Sequence, residues 1–119
     1  MQPGTQINSN PVTDKINVVT VEGEVDIFNA SGIRNYVVEL IEKGYTCIIL
    51  NLDEVKYIDS TGLYRLIELR KILAAKDGKL SLVCCSPRIL KLFYLTNLED
   101  LFIIHRTEDV AINQFLGAC

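Results

Sequence analysis

The chain contains no tryptophan and a single histidine, His105. An imidazole base would have to be His105, which falls at the end of a predicted strand without the sequence context of a catalytic triad. Neither a G-x-S-x-G nucleophile elbow nor a G-x-x-x-x-G-K-[ST] phosphate loop occurs. Without tryptophan no aromatic sugar-binding cleft is visible, which argues against glycosidase chemistry for a pair of aspartates. We therefore expect neither catalysis nor a cofactor, and a small hydrolase that uses Ser60 is kept only as the enzyme-class alternative.

Runs of basic residues and long apolar runs are also missing. The formal net charge is -3 and no run of five basic residues occurs, so we expect no direct contact with nucleic acid. No apolar run approaches the roughly 20 residues that span a bilayer. Residues 1–5 have neither the basic nor the apolar character of a signal peptide. These features predict a cytoplasmic protein without membrane contact.

Length and composition predict a single globular unit. The 119 residues are 49% hydrophobic and 23% charged, which suits one domain with a real core rather than a disordered chain. No linker, repeat or low-complexity segment divides the sequence. We expect one domain over residues 1–119, with residues 1–6 as a flexible N-terminus.

The four cysteines show no metal-binding spacing, because no C-x-x-C pair occurs. Cys47 and Cys84 fall in apolar strand-like runs, where a free cysteine acts as a small hydrophobic residue. The adjacent Cys84 and Cys85 should point to opposite faces of a strand. We expect free cysteines here, with no metal site and no redox role.

Hydrophobic periodicity predicts an α/β fold with the element order ββαβαβαβα. This order implies a mixed, mainly parallel sheet of about five strands with about four helices packed against it. Pro11 indicates that the first strand lies at a sheet edge. The predicted strands cover residues 7–13, 16–22, 46–52, 80–85 and 101–104, and the predicted helices begin near residues 29–31, 60, 87 and 107.

The stretch Asp59-Ser60-Thr61-Gly62-Leu63 is the most informative motif, because it follows a buried strand and opens a helix. Serine is a preferred N-cap residue, so Ser60 is predicted to cap this helix. A phosphate at the same position would be stabilised by the positive end of the helix dipole. Spacing alone leaves both interpretations open: a structural cap and a phosphorylation site.

This motif resembles the phosphorylation signature of the anti-sigma factor antagonists, small bacterial proteins made of one STAS domain. A second match is the stretch Gly23-Glu24-Val25-Asp26, followed by Asn29-Ala30. The resemblance covers residues 7–116 and implies a STAS-like fold. The chain departs from the family at Tyr64, where many members have glycine, and this difference bears on the choice of partner.

The resemblance implies a binding protein that is switched by phosphorylation of Ser60. The unphosphorylated form would bind an anti-sigma factor with a histidine-kinase-like ATPase fold, which frees the sigma factor. That partner would act as the serine kinase, and a phosphatase of the PP2C type would reverse the modification. The alternative is a STAS-like scaffold or regulatory subunit of another complex, such as a stress-signalling assembly or a transporter-associated subunit.

The residues expected to contact the partner or the kinase lie in the two matched stretches and on the helix that follows Ser60. Asp26 and Asp59 are expected to flank Ser60, because loops that follow parallel strands gather at one end of a sheet. The resemblance further implies that Asp26 helps to present the serine. The full set is Glu24, Asp26, Asn29, Asp59, Thr61, Gly62, Tyr64, Arg65 and Glu68.

Overall fold

Five strands and four helices follow one another in the predicted order in a computed structural model that describes residues 5–119. The strands are β1 (Gln6–Pro11), β2 (Ile16–Val25), β3 (Cys47–Ile58), β4 (Lys79–Val83) and β5 (Ile103–His105). The helices are α1 (Ala30–Glu42), α2 (Ser60–Ala74), α3 (Pro87–Leu95) and α4 (Glu108–Leu116). The strands form one sheet in the order β1-β2-β3-β4-β5. The β1–β2 pair is antiparallel and the other three pairs are parallel, so the predicted mixed sheet is confirmed.

Strand β1 lies at the edge of the sheet, as Pro11 predicts. Pro11 pairs with Asn17 of β2 and closes the strand where a missing N–H is tolerated. Helix α1 is followed by a glycine, as is common at helix ends: Gly44 adopts a φ of +107° after the last turn and donates its N–H to the carbonyl of Ile41.

Side chains alternate along the central strands, and the two faces of the sheet therefore bury separate hydrophobic clusters. The first cluster lies beneath α1, α2 and α3 and includes Leu50 and Leu82 from the sheet. The second cluster lies beneath α4, whose buried side chains are Ala111 and Phe115. Its members are Ile16, Val18, Cys47, Ile49, Val83, Ala111 and Phe115.

Strands β2 and β3 run further than the sequence pattern predicts. The charged stretch after residue 52 suggested a connection, but Val55 and Ile58 are buried and β3 continues to Ile58. Strand β2 likewise continues to Val25, with register shifts between Thr20 and Glu22 and between Gly23 and Glu24. Bulges of this kind let strands carry polar residues and still keep their apolar side chains inside. As a result, β2 and β3 end side by side.

Two expectations about the ends of the chain change. Cys47 was expected to be free, but it forms a disulfide with Cys119, with Cα atoms 6.7 Å apart. A flexible segment was expected at residues 1–6, of which residues 1–4 lie outside the described residues. Thr5 and Gln6 belong to the folded domain, because Thr5 is buried and Gln6 begins β1. Within residues 5–119, no helix is long and apolar enough to cross a membrane.

Candidate functional site at the N-terminus of helix α2

The candidate site is built where β2 and β3 end next to each other. Val25 and Ile58 are register partners in the parallel pair, so Asp26 and Asp59 follow directly from neighbouring strand ends. The backbone N–H of Asp59 donates to the carbonyl of Val25 at 3.0 Å, which continues the strand pairing by one bond. The two matched stretches of the sequence therefore meet at one edge of the sheet, as expected for loops after parallel strands.

Asp59, and not Ser60, is the N-cap of α2. The Oδ1 atom of Asp59 accepts a hydrogen bond from the N–H of Gly62 at 2.9 Å, and its backbone is extended. Aspartate and serine cap helices about equally well, so their capping preferences do not distinguish the two residues. Strand β3 ends at Ile58, and this places Asp59 at the N-cap position. The prediction that Ser60 caps the helix is wrong, and Ser60 is instead the first helical residue.

This shift leaves the Ser60 side chain exposed at the end of the helix. No acidic residue lies in the first turn of α2, which follows the capping Asp59. The partial positive charge of a helix N-terminus is concentrated in this first turn, where free N–H groups favour an anionic group. The hydroxyl of Ser60 therefore lies where a phosphate would be both reachable and electrostatically tolerated.

The second carboxylate oxygen of Asp59 ties the β2–α1 loop to α2. Its Oδ2 accepts a hydrogen bond from the N–H of Ile27 at 2.9 Å, across 32 positions of sequence. One side chain thus caps α2 and anchors the neighbouring loop. Sequence reasoning placed Asp59 in the site but not in this double role, since nothing local links it to Ile27.

Asp26 and Asn29 close the loop on itself. The Oδ1 atom of Asp26 accepts from the N–H groups of Phe28 at 2.9 Å and Asn29 at 3.2 Å. The Oδ1 atom of Asn29 accepts from the N–H of Asp26 at 2.9 Å, and its Nδ2 donates to the carbonyl of Glu24 at 2.8 Å. The Oδ1 atom of Asp26 therefore stabilises a turn, as aspartates in turns commonly do.

Asn29 is the N-cap residue of α1 but makes no side-chain capping bond to that helix. It is buried, and its Nδ2 also donates to the Thr5 hydroxyl at 3.1 Å. Its contribution to the site is thus to fix the loop. Glu24 is exposed and pairs with Tyr57 of β3, so it can offer its carboxylate to solvent at the same sheet edge.

Gly62 is a buried residue of α2 and lies against the ends of strands β2 and β3. A Cβ atom at this position would lie 2.8 Å from Val25 Cγ1 and 2.9 Å from Ile58 Cγ2. The motif therefore needs glycine because the helix approaches the sheet too closely for a side chain. Thr61 beside it is half-buried.

On the next turn of α2, Tyr64 is exposed while Arg65 and Glu68 are joined in a network. Arg65 Nη1 and Arg34 Nε both lie close to Glu68 Oε1, at 3.0 and 3.2 Å, and Arg65 Nη2 donates to Ser31 Oγ at 3.1 Å. Arg65 and Glu68 are both half-buried and link α2 to α1. Tyr64 is 59% exposed, and the Arg65 guanidinium lies 5.5 Å from its ring centroid.

Sequence reasoning missed the two most exposed apolar residues of this region. Ile27 is 65% and Phe28 is 76% exposed, and both lie in the loop anchored by Asp59. Exposed apolar side chains grouped on a held loop are typical of protein contact surfaces. The signal was present in the sequence, since two apolar residues fall between the polar turn residues Asp26 and Asn29.

The chain is similar to known proteins in sequence and in fold. The sequence model of the family described as STAS domain matches residues 9–111. The chain is 33% identical over 97 residues to the anti-sigma-B factor antagonist of Staphylococcus aureus (strain NCTC 8325 / PS 47). The aligned region covers 82% of this chain and 90% of that protein.

Two solved structures of SpoIIAA share the fold. The anti-sigma factor antagonist SpoIIAA in its unphosphorylated form superposes with a TM-score of 0.82 and 26% identity, over 96% of this chain and 99% of that one. The Bacillus cell fate determinant SpoIIAA in its phosphorylated form gives a TM-score of 0.72 and 25% identity, over 92% and 99% of the two chains. The chain belongs to the STAS domain family and, within it, to the anti-sigma factor antagonists.

Proposed function

We propose that this protein is a phosphorylation-switched anti-sigma factor antagonist whose acceptor is Ser60. The unphosphorylated form binds an anti-sigma factor with a histidine-kinase-like ATPase fold and frees the sigma factor. That partner phosphorylates Ser60 with ATP, and the complex dissociates. A phosphatase of the PP2C type restores the binding form. The observation that carries this proposal is the exposed position of Ser60 as the first residue of α2, beside a loop that Asp59 anchors.

The switch works through local charge. A phosphoserine adds about 1.5 to 2 negative charges near neutral pH. Within this domain the charge faces the free N–H groups at the start of α2, while Asp59 already accepts from Gly62 and Ile27. Against a partner surface the same charge must be desolvated, which is costly without a matching cation. Phosphorylation can therefore abolish binding while the fold stays the same.

The proposed contact surface combines Ser60 with exposed apolar residues around it. Ile27 and Phe28 project from the anchored loop, and Tyr64 projects from the next turn of α2. Buried aromatic residues dominate the energy of many protein interfaces, so Phe28 and Tyr64 are the expected anchors. Glu24, Asp26 and Thr61 are proposed to lie at the edge of this surface.

The similar proteins support the same conclusion. The curated relative from Staphylococcus aureus carries the name anti-sigma-B factor antagonist, and SpoIIAA is known in unphosphorylated and phosphorylated forms. The fold of this chain matches both forms of SpoIIAA. Family membership supports a regulatory binding role rather than catalysis.

The experiment is incubation of the purified protein with an anti-sigma factor kinase and ATP, followed by intact mass and phosphopeptide mapping. We expect one phosphate on Ser60 and none on the Ser60→Ala variant. Thr61 lies one step further into the helix and its β-branched side chain is more restricted, so it should stay unmodified. A phosphate on Thr61 would refute the assignment of the acceptor. Stable binding without any phosphorylation would favour the scaffold alternative.

A further inference from the structure

The disulfide between Cys47 and Cys119 lies apart from the site described above. Cys47 is the first residue of β3 and is only 3% exposed, whereas Cys119 is exposed and lies two residues beyond the C-cap of α4, Gly117. The two cysteines are 72 positions apart in sequence. The bond therefore joins the end of the segment that carries α4 directly to the central strand of the sheet.

Helix α4 depends on packing against the sheet for its stability. It has nine residues, and helices this short are marginal in water unless tertiary packing supports them. Its buried side chains are Ala111 and Phe115. They cover the second cluster, in which Ile16, Val18 and Ile49 come from the sheet. This face of the sheet is buried by α4, so it would be exposed to solvent if α4 moved away.

The two ends of α4 are held in place by different interactions. At the start of the helix, the Asn51 amide donates to the Glu108 carboxylate, and the Thr107 hydroxyl accepts from the N–H of Val110. At the other end, the N–H of Cys119 donates to the carbonyl of Phe115 at 2.7 Å, so the cysteine stays close to the last buried residue of α4. The covalent link from this end to the sheet is the disulfide, and its residue Cys119 is exposed.

We propose that the Cys47–Cys119 disulfide is a redox-controlled clasp that holds α4 on the sheet. A dithiol reductant attacks the sulfur of Cys119, the exposed residue of the pair, which forms a mixed disulfide and releases Cys47 as a thiolate that takes up a proton. The second thiol of the reductant then displaces Cys119, which also becomes a protonated thiol, and the reductant leaves as its own disulfide. Each cysteine sulfur gains one electron and one proton, and the dithiol loses two of each.

Opening the clasp lets α4 leave the sheet locally. The closed loop is long, and cross-links that close long loops restrict the unfolded segment most. After reduction the noncovalent contacts of α4 with the sheet must hold the helix alone. Ile16, Val18 and Ile49 then become accessible each time α4 detaches, on the face of the sheet opposite to α2. The clasp does not depend on the function proposed for Ser60.

The experiment compares the 119-residue chain after oxidation by glutathione disulfide and after reduction by dithiothreitol. Peptide mapping after alkylation should show a Cys47–Cys119 link in the oxidised sample and alkylation of both Cys47 and Cys119 in the reduced one, while Cys84 and Cys85 are free in both. Hydrogen exchange at the α4 amides should be at least about tenfold faster after reduction, while exchange in α1 serves as the internal reference and changes much less. Cys119→Ser should behave as the reduced protein under both conditions, and Cys85→Ser, a matched control, should behave as the wild type.

Three results would overturn the clasp. The first is the absence of the Cys47–Cys119 link after oxidation. The second is equal exchange of the α4 amides in the oxidised and reduced proteins. The third is an equal acceleration in α1 and α4, since this would mean that the bond stabilises the whole domain and does not control α4 separately.

Discussion

Asp59 is predicted to stabilise the site through two separate hydrogen bonds, and two substitutions can distinguish them. Asp59→Ala removes both the cap on Gly62 and the anchor on Ile27. Loss of an aspartate N-cap costs about 0.5–2 kcal/mol. Loss of a second, partly exposed hydrogen bond adds about 0.5–1.5 kcal/mol. The expected fall in the free energy of unfolding is therefore about 1–3.5 kcal/mol.

Asp59→Asn separates the two bonds, because an asparagine side chain has only one acceptor oxygen. The amide oxygen can still cap Gly62, but an NH₂ group then faces the N–H of Ile27 and cannot accept from it. Asp59→Asn should therefore cost about 0.5–1.5 kcal/mol, close to the anchor contribution alone. In a domain of this size, each kcal/mol corresponds to a fall of about 3–6 °C in melting temperature.

Urea unfolding measures both variants, and hydrogen exchange at the Ile27 and Gly62 amides assigns the loss. Exchange at Ile27 should accelerate in both variants, and exchange at Gly62 only in Asp59→Ala. Ser60→Ala is the matched control and should change stability by less than about 0.5 kcal/mol, since Ser60 does not cap the helix. If Asp59→Asn left the Ile27 amide as protected as in the wild type, the proposed bridge between loop and helix would be refuted.

Four further predictions address the site and one surface thiol. Ser60→Asp should abolish binding of the anti-sigma factor and change stability by less than about 1 kcal/mol, because an acidic residue suits the first turn of a helix; loss of cooperative unfolding would contradict this. Gly62→Ala should lower the unfolding free energy by about 1–3 kcal/mol through overpacking, and an unchanged melting temperature would contradict the close approach. Asp26→Asn keeps an acceptor oxygen for its turn, so it should cause no large loss of stability. Because Asp26 is proposed to lie at the edge of the contact surface, the same substitution should slow phosphorylation of Ser60; equal rates in a kinase assay would leave Asp26 a turn residue only. The hydrogen bond from Cys85 Sγ to Asp53 Oδ1 raises the pKa of the Cys85 thiol, so less thiolate forms near neutral pH; alkylation of Cys85 should be faster in Asp53→Asn, and equal alkylation rates would contradict this.

The element order and sheet could be predicted because the sequence signals agree with one another. Apolar runs, a proline-led helix start at Pro87 and the glycine stop at Gly44 each predict the observed element. The extension of β3 could not be predicted in the same way, since Asp53, Glu54 and Lys56 interrupt the apolar run. Only pairing with β2 shows that Val55 and Ile58 still face the core.

Contacts between distant residues explain the remaining differences. Asp59 and Ser60 have similar capping preferences, so the helix start could not be assigned until the end of β3 was known. The Asp59–Ile27 bond spans 32 positions and the Cys47–Cys119 disulfide spans 72. Neither pairing leaves a local signal, since each depends on how strands and helices pack together.

Asp59 caps α2 and Ser60 does not, so the proposed phosphorylation of Ser60 can change binding without changing the fold. If Ser60 were the N-cap, its modification would replace the hydroxyl that holds the start of α2, and stability and signalling would change together. Here Asp59 provides the cap and anchors the loop that carries Ile27 and Phe28. Ser60 has no part in that cap, so its charge can change while the surface around it keeps its shape. The same separation makes the proposal testable, because a Ser60 variant should change binding alone and an Asp59 variant should change stability as well.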